Sequence, residues 1–174
     1  MAADGLTMIF TGNGKGKTTA ALGLAFRALG HGWPVAVIQF IKGSWHYGEL
    51  ESAKRFADLL DFHVMGRGFT WKSDNLAKDI KVARAAWDFA AATILAGRHR
   101  LVILDELTYL VHYDMVTEEE ILALFRRKPA EMHVVITGRH AGPGLIEFAD
   151  LVTEMTEVKH PYQQGVKAQQ GIEF

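Results

Sequence analysis

Residues 11–19 read Thr-Gly-Asn-Gly-Lys-Gly-Lys-Thr-Thr, between an apolar run at 6–10 and a helix-like stretch that starts at Ala20. A strand that leads into a glycine-rich turn and then a helix directs backbone N–H groups and the positive helix end into one concavity. This order predicts a phosphate-binding loop. The usual pattern is Gly-x4-Gly-Lys-Ser/Thr, which Gly16, Lys17 and Thr18 fit, whereas Thr11 replaces the first glycine and Gly12 follows one place later. We therefore expect a loop of altered shape.

Composition limits the classes of protein to consider. A chain of 174 residues, 49% hydrophobic and 22% charged, suits one globular domain over residues 1–174. The net charge of −1 gives no general attraction to nucleic acid or to an anionic membrane, so we expect neither as a partner. The chain has no cysteine, which excludes disulfides, thiolate catalysis and cysteine zinc sites. Without a membrane-length apolar run or a secretory signal, the expected location is the cytoplasm.

Short β-branched runs alternate with longer helical patterns along the chain. The predicted strands are 8–11, 35–41, 62–65, 101–105, 133–137 and 151–155, and the predicted helices are 17–29, 48–59, 75–96, 117–127 and 143–148. Alternation of this kind predicts an α/β fold with a mostly parallel sheet and helices on both faces. Thr117, followed by three glutamates, predicts a helix N-cap. Ligands of such sheets bind outside the carboxyl ends of the strands, which directs attention to the residues there.

The strand at 101–104 is entirely apolar and ends in Asp105 and Glu106. Magnesium prefers hard oxygen ligands and keeps several waters, so one carboxylate, the Thr18 hydroxyl and phosphate oxygens would suffice to bind it. Either acid could bind the metal, directly or through water. Taken with the phosphate loop, the pair predicts a Mg²⁺ site, where Mn²⁺ is also possible.

Several cations near these strand ends are candidates for phosphate contacts. Lys17 is expected to reach the phosphates, while Lys15 either adds charge or is simply solvated. Arg139 follows another predicted strand and could clamp a phosphate oxygen or form a surface ion pair. His140 has no second partner at metal-ligand spacing, so we do not assign it to a metal site.

Phe69 and Trp71 place two large aromatic side chains in a glycine-flanked loop just after a strand. Exposed aromatic residues would indicate a flat apolar ligand or a subunit contact, and core packing is the ordinary alternative. The pattern alone leaves these interpretations open.

Beyond the loop, several blocks of the sequence match a known family. They are Gln39-Phe40-Ile41-Lys42-Gly43, Gly68-Phe69-Thr70-Trp71, Leu104 to Tyr109, Ile136-Thr137-Gly138-Arg139, and a tail with Val158-Lys159-His160, residues 165–169 and Gly171-Ile172. Over nearly its whole length the chain resembles the ATP:corrinoid (cob(I)alamin) adenosyltransferases of the CobA, BtuR and CobO type. The resemblance implies a P-loop, RecA-like fold.

The resemblance also implies a reaction. Such enzymes transfer the 5′-deoxyadenosyl group of ATP to the Co(I) centre of a reduced corrinoid and release triphosphate, in the biosynthesis or salvage of cobalamin (vitamin B12). Cobalamin, cobinamide and cobyrinic acid a,c-diamide are all candidate substrates. Because the cobalt is the nucleophile, no general base is needed, and the protein aligns the reactants and stabilises charge on the leaving group.

Site residues follow from the resemblance. The implied catalytic residues are Lys17, Thr18 and Glu106, and the implied metal ligands are Thr18, Asp105 and Glu106. ATP binding is implied for Gly12, Asn13, Gly14, Lys15, Gly16, Lys17, Thr18, Thr19 and Arg139. Phe69 and Trp71 align with aromatics thought to displace the lower axial ligand of cobalt and so ease its reduction. In the family, ATP lies reversed in the loop relative to kinases, which is consistent with Thr11.

The resemblance further implies a homodimer and a flavoprotein, flavodoxin-like electron donor. Well-known members carry a basic helical extension before the first strand, whereas residues 1–6 alone precede the apolar run here. We therefore expect a more open corrinoid site or a cover supplied by a partner subunit. The alternatives are a P-loop ATPase or phosphotransferase of another specificity, which would release ADP or phosphate, and a corrinoid carrier that consumes no ATP.

Overall fold

A computed structural model describes residues 4–41, 47–66 and 76–174 of the chain. In it, strands form at all six predicted places. They are β1 (Thr7–Thr11), β2 (Val35–Gln39), β3 (Leu60–Val64), β4 (Leu101–Asp105), β5 (His133–Thr137) and β6 (Leu151–Glu154). They make one sheet in the order β3-β2-β4-β5-β1-β6, and every neighbouring pair is parallel. The expected α/β class with a parallel sheet is confirmed.

Helices connect these strands. They are α1 (Lys17–Gly30), α2 (Gly48–Ala53), α3 (Leu76–Ala96), α4 (Leu107–His112), α5 (Glu118–Phe125) and α6 (Pro143–Phe148). Thr117 caps α5 as predicted: its side chain accepts from the N–H of Glu120, whose carboxylate accepts from the N–H of Thr117. A hydrogen bond from Arg84, followed by those from Thr117, lowers the pKa of Glu120 to about 2. The first turn of α5 is therefore fixed by the reciprocal contacts typical of a capping box.

Apolar residues of the central strands alternate between two cores. Ile9 and Ile38 belong to the core that includes Trp87 of α3 and Leu110 of α4. Their strand neighbours, such as Met8 and Val37, lie in the core on the α1 side, which includes Ala21, Ala25 and Leu29. Successive side chains of a strand point to opposite faces, so this division places helices on both faces of the sheet, as predicted.

The structure differs from the helical predictions in three places. The helix expected over 48–59 ends at Ala53 and continues only as a 3-10 turn at Lys54–Phe56. In addition, α4 was missed, because its six residues span less than two turns and it begins directly after Glu106, whose left-handed conformation residue type does not predict. The 3-10 turn at Pro161–Gln164 was also not predicted from the sequence.

The parallel arrangement brings the carboxyl ends of β1, β2, β4 and β5 to one edge of the sheet. Thr11, Gln39, Asp105 and Thr137 are the final residues of these strands. All four are buried polar side chains, which is unusual at the end of an apolar strand. No helix in the described part of the chain is long and apolar enough to cross a membrane.

Candidate active site

The loop between β1 and α1 needs glycine at two positions. Gly12 and Gly16 have φ angles of 96° and 115°, a region that favours glycine. A Cβ on Gly12 would also clash with the carbonyl of Met155, to which Gly14 donates its N–H at 2.7 Å. The loop is therefore packed against the segment that follows β6.

Thr11 has a defined place in this loop. It is the last residue of β1, it is buried, and its hydroxyl accepts from the N–H of Ala141 at 3.3 Å. Its side chain thus ties the start of the phosphate loop to the segment after β5. A glycine at this position would make no such contact, so the structure gives Thr11 a role in supporting the loop.

Lys17 lies across the loop rather than in solvent. Its ammonium donates to the carbonyls of Gly12 at 2.9 Å and Gly14 at 2.7 Å, and the residue is 7% exposed. Burial lowers the pKa of Lys17, an effect that the nearby Glu106 carboxylate opposes and the Arg139 guanidinium reinforces. The ammonium is held beside the first turn of α1, whose leading N–H groups have no partners within the helix. Cationic and N–H donors therefore converge on one spot, as phosphate binding requires.

Asp105 is the centre of a buried hydrogen-bond network. Its Oδ1 accepts from the hydroxyls of Thr18 at 2.8 Å and Thr137 at 2.7 Å, and its Oδ2 accepts from the Gln39 amide at 2.9 Å. The carboxylate is completely buried, and these bonds satisfy both of its oxygens. The carboxylate at the end of β4 thereby holds β2, β5 and α1 in place.

The network continues from Gln39 to Tyr47, whose hydroxyl donates to the Gln39 amide oxygen. Burial, followed by the nearby carboxylates of Glu49 and Asp105, raises the pKa of Tyr47 to about 12. The phenol therefore stays protonated and serves as a donor. This orients the Gln39 amide so that its NH₂ group faces Asp105.

Glu106 follows Asp105 in a left-handed conformation, with φ 63°. Its N–H donates to the Thr137 hydroxyl at 2.9 Å, and α4 begins at the next residue. A non-glycine residue in this region is strained, and such strain concentrates at functional positions. The turn directs Glu106 to the cavity beside the loop, where it is one of the lining residues.

That cavity has a volume of about 550 Å³. One side is built from residues 15–19 and Leu22, another from the start of α2, and a third from residues 171–174 near the end of the chain. Lys15 faces this third wall: its ammonium donates to the Ile172 carbonyl at 3.3 Å and forms an ion pair with Glu173. Neither alternative considered for Lys15, a phosphate contact or simple solvation, included this pairing.

The segment after β5 brings Arg139 and His140 to the same edge. Arg139 is exposed, and the described residues include no ion-pair partner for it, so the surface ion pair is not seen there. His140 stacks on His112 with ring centroids 5.4 Å apart. Within the described residues, no group of three or more histidine, aspartate or glutamate side chains could hold a metal ion.

The oxygen atoms at this edge fit magnesium held jointly with phosphates. The Thr18 hydroxyl and the Asp105 carboxylate are 2.8 Å apart, and both are hard ligands. The Thr108 hydroxyl is buried and has no hydrogen-bond partner in the described part of the chain. It lies next to Gly138, where an added Cβ would meet both this hydroxyl and the Glu106 carboxylate. An unpartnered hydroxyl of this kind could form a hydrogen bond with a water molecule on the metal. The oxygen atoms present are consistent with an ion that keeps several waters.

Two predicted site residues lie outside the part of the chain that the structure describes, and other residues of the site were not predicted. Phe69 and Trp71 fall outside the described residues. Sequence reasoning assigned no role to Gln39, Thr137, Tyr47 or Glu173. Gln39 and Thr137 could have been found, because each is a polar residue that ends an apolar strand at the ligand-binding edge.

Comparisons with known proteins place this geometry in context. Residues 3–174 match the family model for ATP:corrinoid adenosyltransferase BtuR/CobO/CobP. A corrinoid adenosyltransferase of Sinorhizobium is 46% identical over 172 residues, covering 98% of this chain and 80% of that protein. One from Pseudomonas aeruginosa is 46% identical over 170 residues, covering 98% and 84%. The flagellar accessory protein FlaH of Methanocaldococcus jannaschii shares the fold, with a TM-score of 0.57 at 13% identity over 87% of this chain and 71% of FlaH.

Proposed function

The chain belongs to the BtuR/CobO/CobP family of ATP:corrinoid adenosyltransferases, and we propose that it carries out its reaction at the cavity above the phosphate loop. It is an adenosyltransferase of cobalamin metabolism that acts on ATP and a corrinoid. The observation that carries the assignment of the site is the convergence of Lys17, the start of α1 and the Asp105 network at one edge of the sheet.

The proposed reaction is an alkyl transfer. The electron pair of Co(I) forms a bond to the 5′ carbon of ATP, the bond from that carbon to the phosphate oxygen breaks, and its electron pair leaves on triphosphate. No proton moves, which agrees with a site built from donors around one buried carboxylate network rather than around a general base. The protein's task is to hold the 5′ carbon in line and to stabilise negative charge on the leaving oxygen.

Lys17 and the N–H groups at the start of α1 are proposed to bind the triphosphate. The ammonium already has two carbonyl partners, which fix its position before the substrate arrives. Preorganised donors cost no rearrangement when charge develops, and this is the usual source of such catalysis. The proposed ATP site also includes Gly12, Asn13, Gly14, Lys15, Gly16, Thr18 and Thr19, together with Arg139.

Thr18, Asp105 and Glu106 are proposed to hold Mg²⁺, or Mn²⁺ in its place. When bound, the ion would neutralise charge on the phosphate oxygens. Asp105 accepts from Thr18, Thr137 and Gln39, so the chain itself keeps the ligand atoms in a fixed arrangement.

Phe69 and Trp71 are proposed to contact the corrinoid and to displace the lower axial ligand of its cobalt. Loss of an axial donor makes the electron-rich reduced state easier to reach, and an apolar contact cannot replace that donor. This assignment rests on the family resemblance of the segment that contains them.

The remaining proposals are a homodimer and a flavoprotein electron donor, which rest on the family, and a cytoplasmic location, which is the expectation from the sequence. We also propose that residues 1–174 act as one domain, since all six strands contribute to a single sheet and the family model spans residues 3–174.

The test is to incubate the purified protein with ATP, Mg²⁺ and chemically reduced cob(I)alamin, in the dark and without oxygen. We expect a light-sensitive alkylcobalamin and an equimolar amount of triphosphate. Phosphate or ADP without a change in the corrinoid spectrum would instead indicate an ordinary P-loop ATPase and contradict the proposed site chemistry.

A further inference from the structure

The segment 171–174 folds back over the phosphate loop and forms a wall of its cavity. It is shaped by a local turn, in which the N–H of Gly171 donates to the Phe174 carbonyl at 2.7 Å and that of Glu173 to the Gln169 carbonyl at 2.8 Å. The turn presents the Glu173 carboxylate to Lys15, which lies 158 residues away in the sequence. A carboxylate is thus placed inside a cavity whose loop is built to receive anions.

The two lysines of the loop are held differently. Lys17 is buried and bound to loop carbonyls, so its position does not depend on the tail. Lys15 has a side chain that is 42% exposed, and its ionic partner is Glu173, whose side chain is 25% exposed. Ion pairs with this exposure contribute little to stability and break readily. A triphosphate group offers more charge and several acceptor oxygens to the same ammonium.

In adenosyl transfer, competition between Glu173 and triphosphate for Lys15 would affect release of the product. The triphosphate part of ATP, which the loop is proposed to bind, is also the leaving group. Each contact that binds ATP through its phosphates therefore also binds the released triphosphate. Contacts that bind the substrate and the transition state equally well do not raise kcat, and contacts that persist in the product slow its release. A residue that competes for one of those contacts would hasten release of the product.

We propose that Glu173 is an internal competitor of triphosphate for Lys15. The carboxylate occupies the ammonium when the cavity is empty, is displaced when the triphosphate group of ATP or the free product binds, and returns to Lys15 as the product leaves. Glu173 thereby sets the affinity of the site for triphosphate, a role that rests on the proposed function of the cavity.

The experiment is calorimetric titration of the full-length protein with inorganic triphosphate and Mg²⁺. Glu173→Gln removes the competing charge with little change of shape, and we expect triphosphate to bind about twofold to fivefold more tightly. Glu157→Gln is the matched control, because Glu157 pairs with Gln163 of the same tail and does not line the cavity. Its affinity for triphosphate is expected to equal that of the wild type.

A double-mutant cycle tests whether Lys15 carries the effect. In a Lys15→Gln background, Glu173→Gln is expected to change triphosphate affinity by much less than it does in the wild type. An unchanged or weakened affinity of the single variant, or an undiminished effect without Lys15, would overturn the proposal. A wild-type protein that binds neither ATP nor triphosphate would instead refute the proposed function of the cavity, so the two failures are distinguishable.

Discussion

The Thr18 hydroxyl donates a 2.8 Å hydrogen bond to the Asp105 carboxylate and so joins the first turn of α1 to the end of β4. The phosphate loop and the carboxylate strand are 87 residues apart in the sequence, yet this bond fixes their distance. The proposed donors for phosphate and the proposed ligands for a metal ion are therefore joined in one hydrogen-bonded unit.

Asp105→Asn is expected to damage both folding and activity. An amide at this position cannot accept from all three of its donors, and the Gln39 amide cannot simply turn over, because Tyr47 donates to its oxygen. The free energy of unfolding should fall by about 1–3 kcal/mol, the usual range for a broken buried hydrogen bond. Urea denaturation measures this change, and magnesium-dependent ATP binding should weaken in parallel. Asp61→Asn, which alters an exposed carboxylate paired with His99, is the control and should change both quantities little.

Lys17→Met is expected to lower kcat/KM for ATP by about 10²-fold or more, because the variant loses the preorganised positive donor that we propose for the leaving triphosphate. Steady-state assays of adenosylcobalamin formation measure this. Lys128→Met is a matched control, since Lys128 is also a lysine that donates to two backbone carbonyls and has a pKa lowered by burial, but it lies away from the cavity. If both variants lost activity in proportion to their loss of stability, Lys17 would have only a structural role.

Gly23→Ala is expected to stabilise the protein by about 0.5–1 kcal/mol, because glycine in a helix interior costs that much relative to alanine. Gly23 lies on the exposed side of α1, and a Cβ there would meet nothing within 4 Å. Gly12→Ala is the contrasting variant and should destabilise, since Gly12 has a φ of 96° and no room for a Cβ. Thermal unfolding distinguishes them: the melting temperature should rise for the first and fall for the second.

His133 should make stability depend on pH. Burial, together with Arg100 and Lys128, lowers its pKa below the ordinary 6.5, and its Nδ1 accepts from the N–H of Leu6 at 3.0 Å. The unfolded chain then binds more protons than the folded one just below pH 6.5, so the contribution is fully present above that pH and is lost as the pH falls. His133→Asn keeps an acceptor without a titrating group. Urea denaturation from about pH 7.5 to about pH 5.5 should show a smaller loss of stability in the variant; an equal loss would exclude His133 as the source.

Phe69→Ala tests separately the reduction of the cobalt and the transfer of the adenosyl group. If Phe69 helps to remove the axial ligand, the variant should turn over far more slowly from cob(II)alamin with a reductant than from chemically prepared cob(I)alamin. Assays of both substrates under the same anaerobic conditions make the comparison. Equal slowing would indicate that Phe69 serves packing instead.

The sequence predicted most of the fold for physical reasons that can be traced. Apolar runs at the six strands and a helix cap at Thr117 are local signals, and local signals were sufficient. The start of α4 was not predictable in this way, because Glu106 turns the chain through a left-handed conformation that residue type alone does not favour. The contact between Lys15 and Glu173 had no local signal at all, since it joins two partly exposed side chains from opposite ends of the sequence.

The candidate site was predictable at the level of motifs but not of contacts. Gly16, Lys17 and Thr18 were identified from the spacing of the loop motif and Asp105 from its place at the end of an apolar strand, and the structure brings all four to one edge. That Asp105 would be completely buried among Gln39, Thr18 and Thr137 depends on which strands are neighbours. The insertion of β5 between β4 and β1 decides this, and no periodicity in the sequence encodes strand order.

The same strand order has a consequence for synthesis on the ribosome. β1 emerges first, but its two neighbours in the sheet are β5 and β6, which lie more than a hundred residues later in the chain. Pairing across such separations is slow, because the entropy of closing the loop is lost before the contacts form. The phosphate loop that follows β1 therefore stays unsupported until the last third of the chain has been made, and a nascent chain released before β5 is made lacks the strands that hold the proposed ATP site.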